Sequence, residues 1–134
     1  MSDHPVIALV RSKLSDPGQA FTIIANLAAH PGRGDQVAAA VARSGAVGLT
    51  RAEPGCLTYD ISRETDAPDR FVAYEQWRDL AALQAHLETA HFAAVGAALA
   101  ELLDGAPTVR VLTPVAPDAE PGAAAGAAAG GGGG

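Results

Sequence analysis

The chain has little of what marks several large protein classes. A single cysteine among 134 residues, Cys56, rules out an internal disulfide and any site built from several thiolates. On its own, Cys56 reads as a small buried hydrophobe. No apolar run approaches the roughly 20 residues a membrane span requires. The densest, Val6–Val10, is short, follows Pro5 and has no cationic segment ahead of it. Neither a span nor a signal peptide is expected. Positive charge is also scarce: nine Lys and Arg against fifteen Asp and Glu leave a net charge of −6. The nine are scattered, which argues against a nucleic-acid partner. The expectation is a soluble protein of a reducing, cytoplasmic compartment, with no membrane association.

What is present is organised around one domain. Residues 1–18 hold Pro5, Ser15, Asp16, Pro17 and Gly18 around the Val6–Val10 run, and read as an extra strand or a loose arm. Residues 115–134 end in alanine and glycine blocks with almost nothing to bury, and read as disordered. The folded unit is then residues 19–114. A core that small is thin and would gain from dimerisation.

Within this unit Phe21–Ala28 reads as a strand, bounded by Pro17-Gly18 and Pro31-Gly32. A helix is expected over 35–51, with Val37, Ala40, Val41 and Val47 near one face and Gly45 and Gly48 weakening it. Glu53-Pro54-Gly55 is a stop and turn. Leu57, Tyr59 and Ile61 alternate with polar residues, as do Phe71, Ala73, Glu75 and Trp77 on the next strand. A turn near Asp66–Asp69 makes the two strands an antiparallel hairpin. Asp79 caps a short helix carrying Leu80, Leu83 and Leu87, and Thr89 caps another carrying Phe92, Val95, Leu99 and Leu102. Thr108–Thr113 is the last strand. The order β-α-β-β-α-β defines an α+β, ferredoxin-like domain with an antiparallel sheet.

Three segments carry a family resemblance: Arg51–Asp60 (RAEPGCLTYD), Arg70–Trp77 (RFVAYEQW) and Ala82–Phe92 (ALQAHLETAHF). The chain resembles the antibiotic biosynthesis monooxygenases over about residues 20–114, nearest to the small quinol monooxygenases of that group. The resemblance implies a dimeric α/β-barrel arrangement, in which the sheets of a homodimer pack face to face. It also implies oxidation of an electron-rich aromatic small molecule by dioxygen, with no flavin, haem or metal. Other members of the superfamily are isomerases.

Such a reaction needs a base, because a quinol or anthrone anion gives an electron to dioxygen far more readily than the neutral molecule. It also needs donors for the substrate oxygen and a dry pocket. His86, three residues after Leu83, points to the buried side of its helix. His91 sits at the edge of the Phe92–Val95–Leu99 stripe. These are the candidate catalytic bases. Asn26, Trp77, Glu75 and Tyr59 are the candidate substrate-binding residues. Asn26 shares a strand face with Ile24 and Ala28, where an amide would bond a substrate oxygen or a neighbouring backbone group. Trp77 is a pocket wall or core, and Tyr59 an inward aromatic. Glu75 is a carboxyl whose pKa would rise if buried, unless an arginine pairs with it.

No metal is expected, because His86 and His91 are five apart across a helix break and no further ligand has suitable spacing to either. Haem-degrading relatives share the fold and match Asn26. They place tryptophan at the position of His86 and their iron-ligating histidine at that of Val95, which cannot bind iron. A non-catalytic dimeric module binding a small apolar metabolite, and an isomerase of a small carbonyl compound, remain alternatives.

Overall fold

The computed structural model describes residues 4–115, so most of the expected Ala/Gly-rich tail lies outside the described residues. Its elements are α1 (Pro5–Lys13), β1 (Phe21–Ala28), α2 (Gly34–Ser44), α3 (Ala46–Arg51), β2 (Cys56–Arg63), β3 (Arg70–Trp77), α4 (Leu80–Leu87), α5 (Ala90–Leu99) and β4 (Thr108–Leu112). The four strands form one antiparallel sheet in the order β2-β3-β1-β4, the ferredoxin-like arrangement. No helix among the described residues is long and apolar enough to cross a membrane.

The period-2 alternation sorts each strand into two faces. Phe21, Ile23 and Ala25 of β1 and Phe71, Ala73 and Trp77 of β3 are buried under the helices, while Thr22, Asn26, Tyr74 and Gln76 lie on the other face. One core cluster joins Phe21, Ile23, Tyr59, Ala73 and Trp77 to Leu80 and Leu83 of α4. A second joins Phe71 to Val37 and Ala40 of α2 and to Val95 and Leu99 of α5.

Two segments differ from expectation. The arm is neither strand nor loose chain but the helix α1. Pro5 opens it, His4 Nδ1 accepts from the Val6 N–H at 3.1 Å, and Ile7 and Val10 are buried in the first cluster. The i, i+3 spacing of these two puts them on one helical face, which packs against α4 and β4. The helix expected over 35–51 is two helices. Gly45 takes a left-handed conformation (φ 69°) that ends α2 and starts α3, a backbone state that a Cβ would strain.

Candidate active site

The site is assembled where three connections meet. The turn after α3 carries Glu53, and Gly55 lets that turn come close to α4. A Cβ at Gly55 would lie 2.2 Å from the Ala82 Cβ, so only glycine fits. The Arg78 N–H donates to the Gly55 carbonyl at 2.9 Å, fixing the turn to the end of β3. Asp79 accepts from the Ala82 N–H at 2.9 Å and sets the start of α4. Thr89 forms the joint between α4 and α5. Its hydroxyl accepts from the Phe92 N–H at 3.1 Å and donates to the His86 carbonyl at 2.7 Å. This sharp break swings His91, in the first turn of α5, back towards His86.

Glu53 then links the two histidines. Its Oε2 lies 2.8 Å from His86 Nδ1 and 2.6 Å from His91 Nε2. An ionised carboxylate can only accept, so both ring nitrogens donate to it, which leaves the His86 Nε2 with the lone pair. His86 is 3 % exposed and ringed by aromatic groups: Trp77 at 4.8 Å, Phe92 at 5.1 Å and Tyr59 at 5.7 Å between ring centroids. Burial pushes its pKa down, against the opposing pull of the Glu53 carboxylate, so the neutral imidazole is favoured. His91 is more open, its side chain 16 % exposed.

Glu75 lies on the same side of the sheet. No arginine pairs with it among the described residues. Instead one of its oxygens accepts from the Trp77 indole N–H at 2.9 Å. Burial raises its pKa to about 7, the indole N–H works against that rise, and the Glu53 charge adds to it. Tyr59, paired across the ladder with Glu75, is 7 % exposed, and burial followed by the Glu75 charge keeps it a neutral phenol.

The candidate residues therefore separate. His86, His91, Trp77, Glu75 and Tyr59 converge on the helix-covered side of the sheet. Asn26 does not join them: it is exposed on the opposite face, because its neighbours Ile23 and Ala25 take the buried positions. Glu53 is the residue that spacing did not reveal, standing 33 and 38 positions from its two histidines. The acid in the tight turn ahead of β2 was the available signal. Where the sequence implies a dry pocket, His86 and Trp77 are almost wholly covered, so the site is closed in this state. Shallow surface hollows lie elsewhere, one between α2 and α5 beside Arg33 and Arg43, another along β2 beside Arg51 and Asp60.

Fold and site together define a ferredoxin-like domain with a carboxylate-linked histidine pair, His86 buried and His91 partly open, beside an aromatic wall. A family model described as antibiotic biosynthesis monooxygenase matches residues 20–98, and the chain belongs to that family. The Escherichia coli K12 protein named "Probable quinol monooxygenase YgiN" is 32% identical over 87 residues, covering 59% of this chain and 84% of its own. The Bacillus subtilis protein named "Putative monooxygenase YcnE" is 43% identical over 54 residues, which are 40% of this chain and 57% of YcnE. Among solved structures, PA3566 from Pseudomonas aeruginosa is 31% identical with a TM-score of 0.67, covering 76% of this chain and 100% of its own. Rv0793 from Mycobacterium tuberculosis is 28% identical with a TM-score of 0.65, covering 75% and 100%. These comparisons give the chain the fold and the monooxygenase-family character that the sequence pattern implied.

Proposed function

We propose that the protein is a cofactor-independent monooxygenase that oxidises a quinol-like or polycyclic aromatic small molecule with dioxygen, using His86 as its base. The observation that carries this reading is the 2.8 Å contact between His86 Nδ1 and Glu53 Oε2. It orients the ring, selects the tautomer with a basic Nε2, and stabilises the imidazolium once a proton arrives. His91 holds the same carboxylate from the solvent side. The Trp77, Tyr59 and Phe92 rings offer an apolar surround for an aromatic substrate, and burial keeps water from the reacting anion. Glu75, half protonated near neutrality, is a second proton carrier on the same wall.

For an anthrone the balance closes without an external reductant. The methylene carbon becomes a carbonyl, one atom of dioxygen enters the product and the other leaves as water. The first methylene proton goes to His86 Nε2 and returns to the outer oxygen of the carbon-bound peroxide; the second leaves the same carbon as the O–O bond breaks, so that the outer oxygen departs as water and the carbon keeps the inner one as its carbonyl. Because His86 and Trp77 are sealed under their neighbours, substrate enters only when that cover parts.

The same reading takes the protein as a cytoplasmic homodimer formed through the open sheet face. Tyr74 and Leu112, 39% and 40% exposed there, are large apolar side chains with no helix above them among the described residues. The test is turnover of anthrone under labelled dioxygen. One labelled oxygen in the product supports the reading. Turnover that proceeds equally well without dioxygen would favour the isomerase, and saturable binding with no turnover the binding module.

A further inference from the structure

The three atoms that make the hydrogen-bonded relay are also a ligand set. Glu53 Oε2, His86 Nδ1 and His91 Nε2 all lie within 4.8 Å of one another and come from three separate segments. Two imidazoles and one carboxylate suit first-row divalent cations. With metal–ligand bonds of about 2.0–2.1 Å, neighbouring ligand atoms stand about 2.9–3.4 Å apart. The two contacts, at 2.8 and 2.6 Å, would have to widen by a few tenths of an ångström, and the two ring nitrogens, which stand within 4.8 Å of each other, would have to settle at the same spacing. His86 and Glu53, with side chains 3% and 13% exposed, hold one side of the set out of water. The more open His91 gives an ion its way in.

We propose that Glu53, His86 and His91 bind a divalent transition-metal ion of the zinc type, and that bound metal switches the oxidation off. The binding half stands on the ligand geometry alone. The switch half rests on the reading of His86 as the base. Metal at His86 Nδ1 takes the lone pair of that nitrogen, so the single proton of the neutral ring moves to Nε2. The same shift moves the His91 proton to Nδ1. No proton is lost, two hydrogen bonds break, and three dative bonds form. The Nε2 that accepted the substrate's proton now bears one itself and cannot act as a base.

The experiment is titration of the metal-stripped, full-length protein with Zn2+, followed by desalting and metal analysis, with Co2+ as a spectroscopic probe. One Zn2+ per chain is expected, together with visible Co2+ bands from nitrogen and oxygen ligation. Glu53→Gln and His91→Ala, checked for folding by circular dichroism, should each weaken binding at least tenfold. His30→Ala, remote from the set in the turn after β1, should leave the stoichiometry unchanged. Failure to retain Zn2+, or retention that both Glu53→Gln and His91→Ala leave intact, overturns the site. If His91→Ala does not fold, His91→Gln replaces it. One equivalent of Zn2+ should also abolish oxygen uptake with anthrone, and uptake that persists in the loaded protein overturns the switch. Because binding is read without turnover, a failed base assignment and a failed metal site give different results.

Discussion

Glu75→Gln replaces a buried carboxyl by an isostere that cannot ionise yet still accepts the Trp77 indole N–H. Burial raises the folded-state pKa of Glu75 from 4.5 to about 7. Below pH 4.5 the group is protonated in both folded and unfolded chains and contributes nothing to pH dependence. Between 4.5 and 7 the unfolded chain ionises while the folded one holds its proton, so stability falls as pH rises, and the full loss is reached above 7. At about 1.4 kcal/mol per pKa unit the shift corresponds to a loss on the order of 3 kcal/mol. The difference in stability between variant and wild type should therefore grow by about that amount from pH 4 to pH 8, in favour of the variant. Urea unfolding of both proteins at several pH values reads this difference directly, since every other titrating group is common to both. Part of the slope comes from the Glu53 charge, so a Glu53→Gln background should shrink it. A difference that stays flat with pH, or that grows in favour of wild type, would refute the placement of Glu75 as a buried, neutral-leaning acid.

Gly55→Ala drives a methyl group into the Ala82 Cβ and should cost about 1–3 kcal/mol by overpacking. Adding Ala82→Gly should recover part of it, as thermal melts of the single and double variants would show, and no recovery would place the clash elsewhere. Ile7→Ala should cost about 2–5 kcal/mol, because the side chain is 1% exposed in the main core cluster. A loss of only a few tenths in chemical denaturation would mean that α1 is not docked in solution. Thr89→Val removes the cap of α5 and should cost about 1 kcal/mol. It should also lower oxygen uptake by loosening His91, and unchanged uptake would separate the joint from the site.

The strands and the two C-terminal helices were legible because their signals are local. Alternation in Phe71–Trp77 and the caps Asp79 and Thr89 act within a few residues. The segments that differ from expectation depend on context. Val6–Val10 has a composition that suits a strand, and only the covered surface of α4 and β4 selects the helix that buries Ile7 and Val10. Gly45 weakens a helix on paper, whereas in the fold its left-handed turn breaks one. Alternation puts Asn26 on the face of Ile24 and Ala28, and the bulk of Phe21 and Ile23 decides that the helices cover the other one. Within the site, both histidines and the Trp77–Glu75–Tyr59 wall could be read from spacing. Glu53 could not, because what brings it to His86 is the close approach of Gly55 to Ala82, a contact between distant segments.

The most direct test of the central claim is oxygen consumption by the metal-stripped protein with anthrone and 1,4-naphthoquinol, comparing wild type with His86→Gln and Glu53→Gln. Uptake above the spontaneous rate is expected, falling about 10²-fold or more when His86 is replaced and substantially when Glu53 is. Wild-type uptake that both folded variants retain would contradict the assignment of the carboxylate-linked histidine as the base.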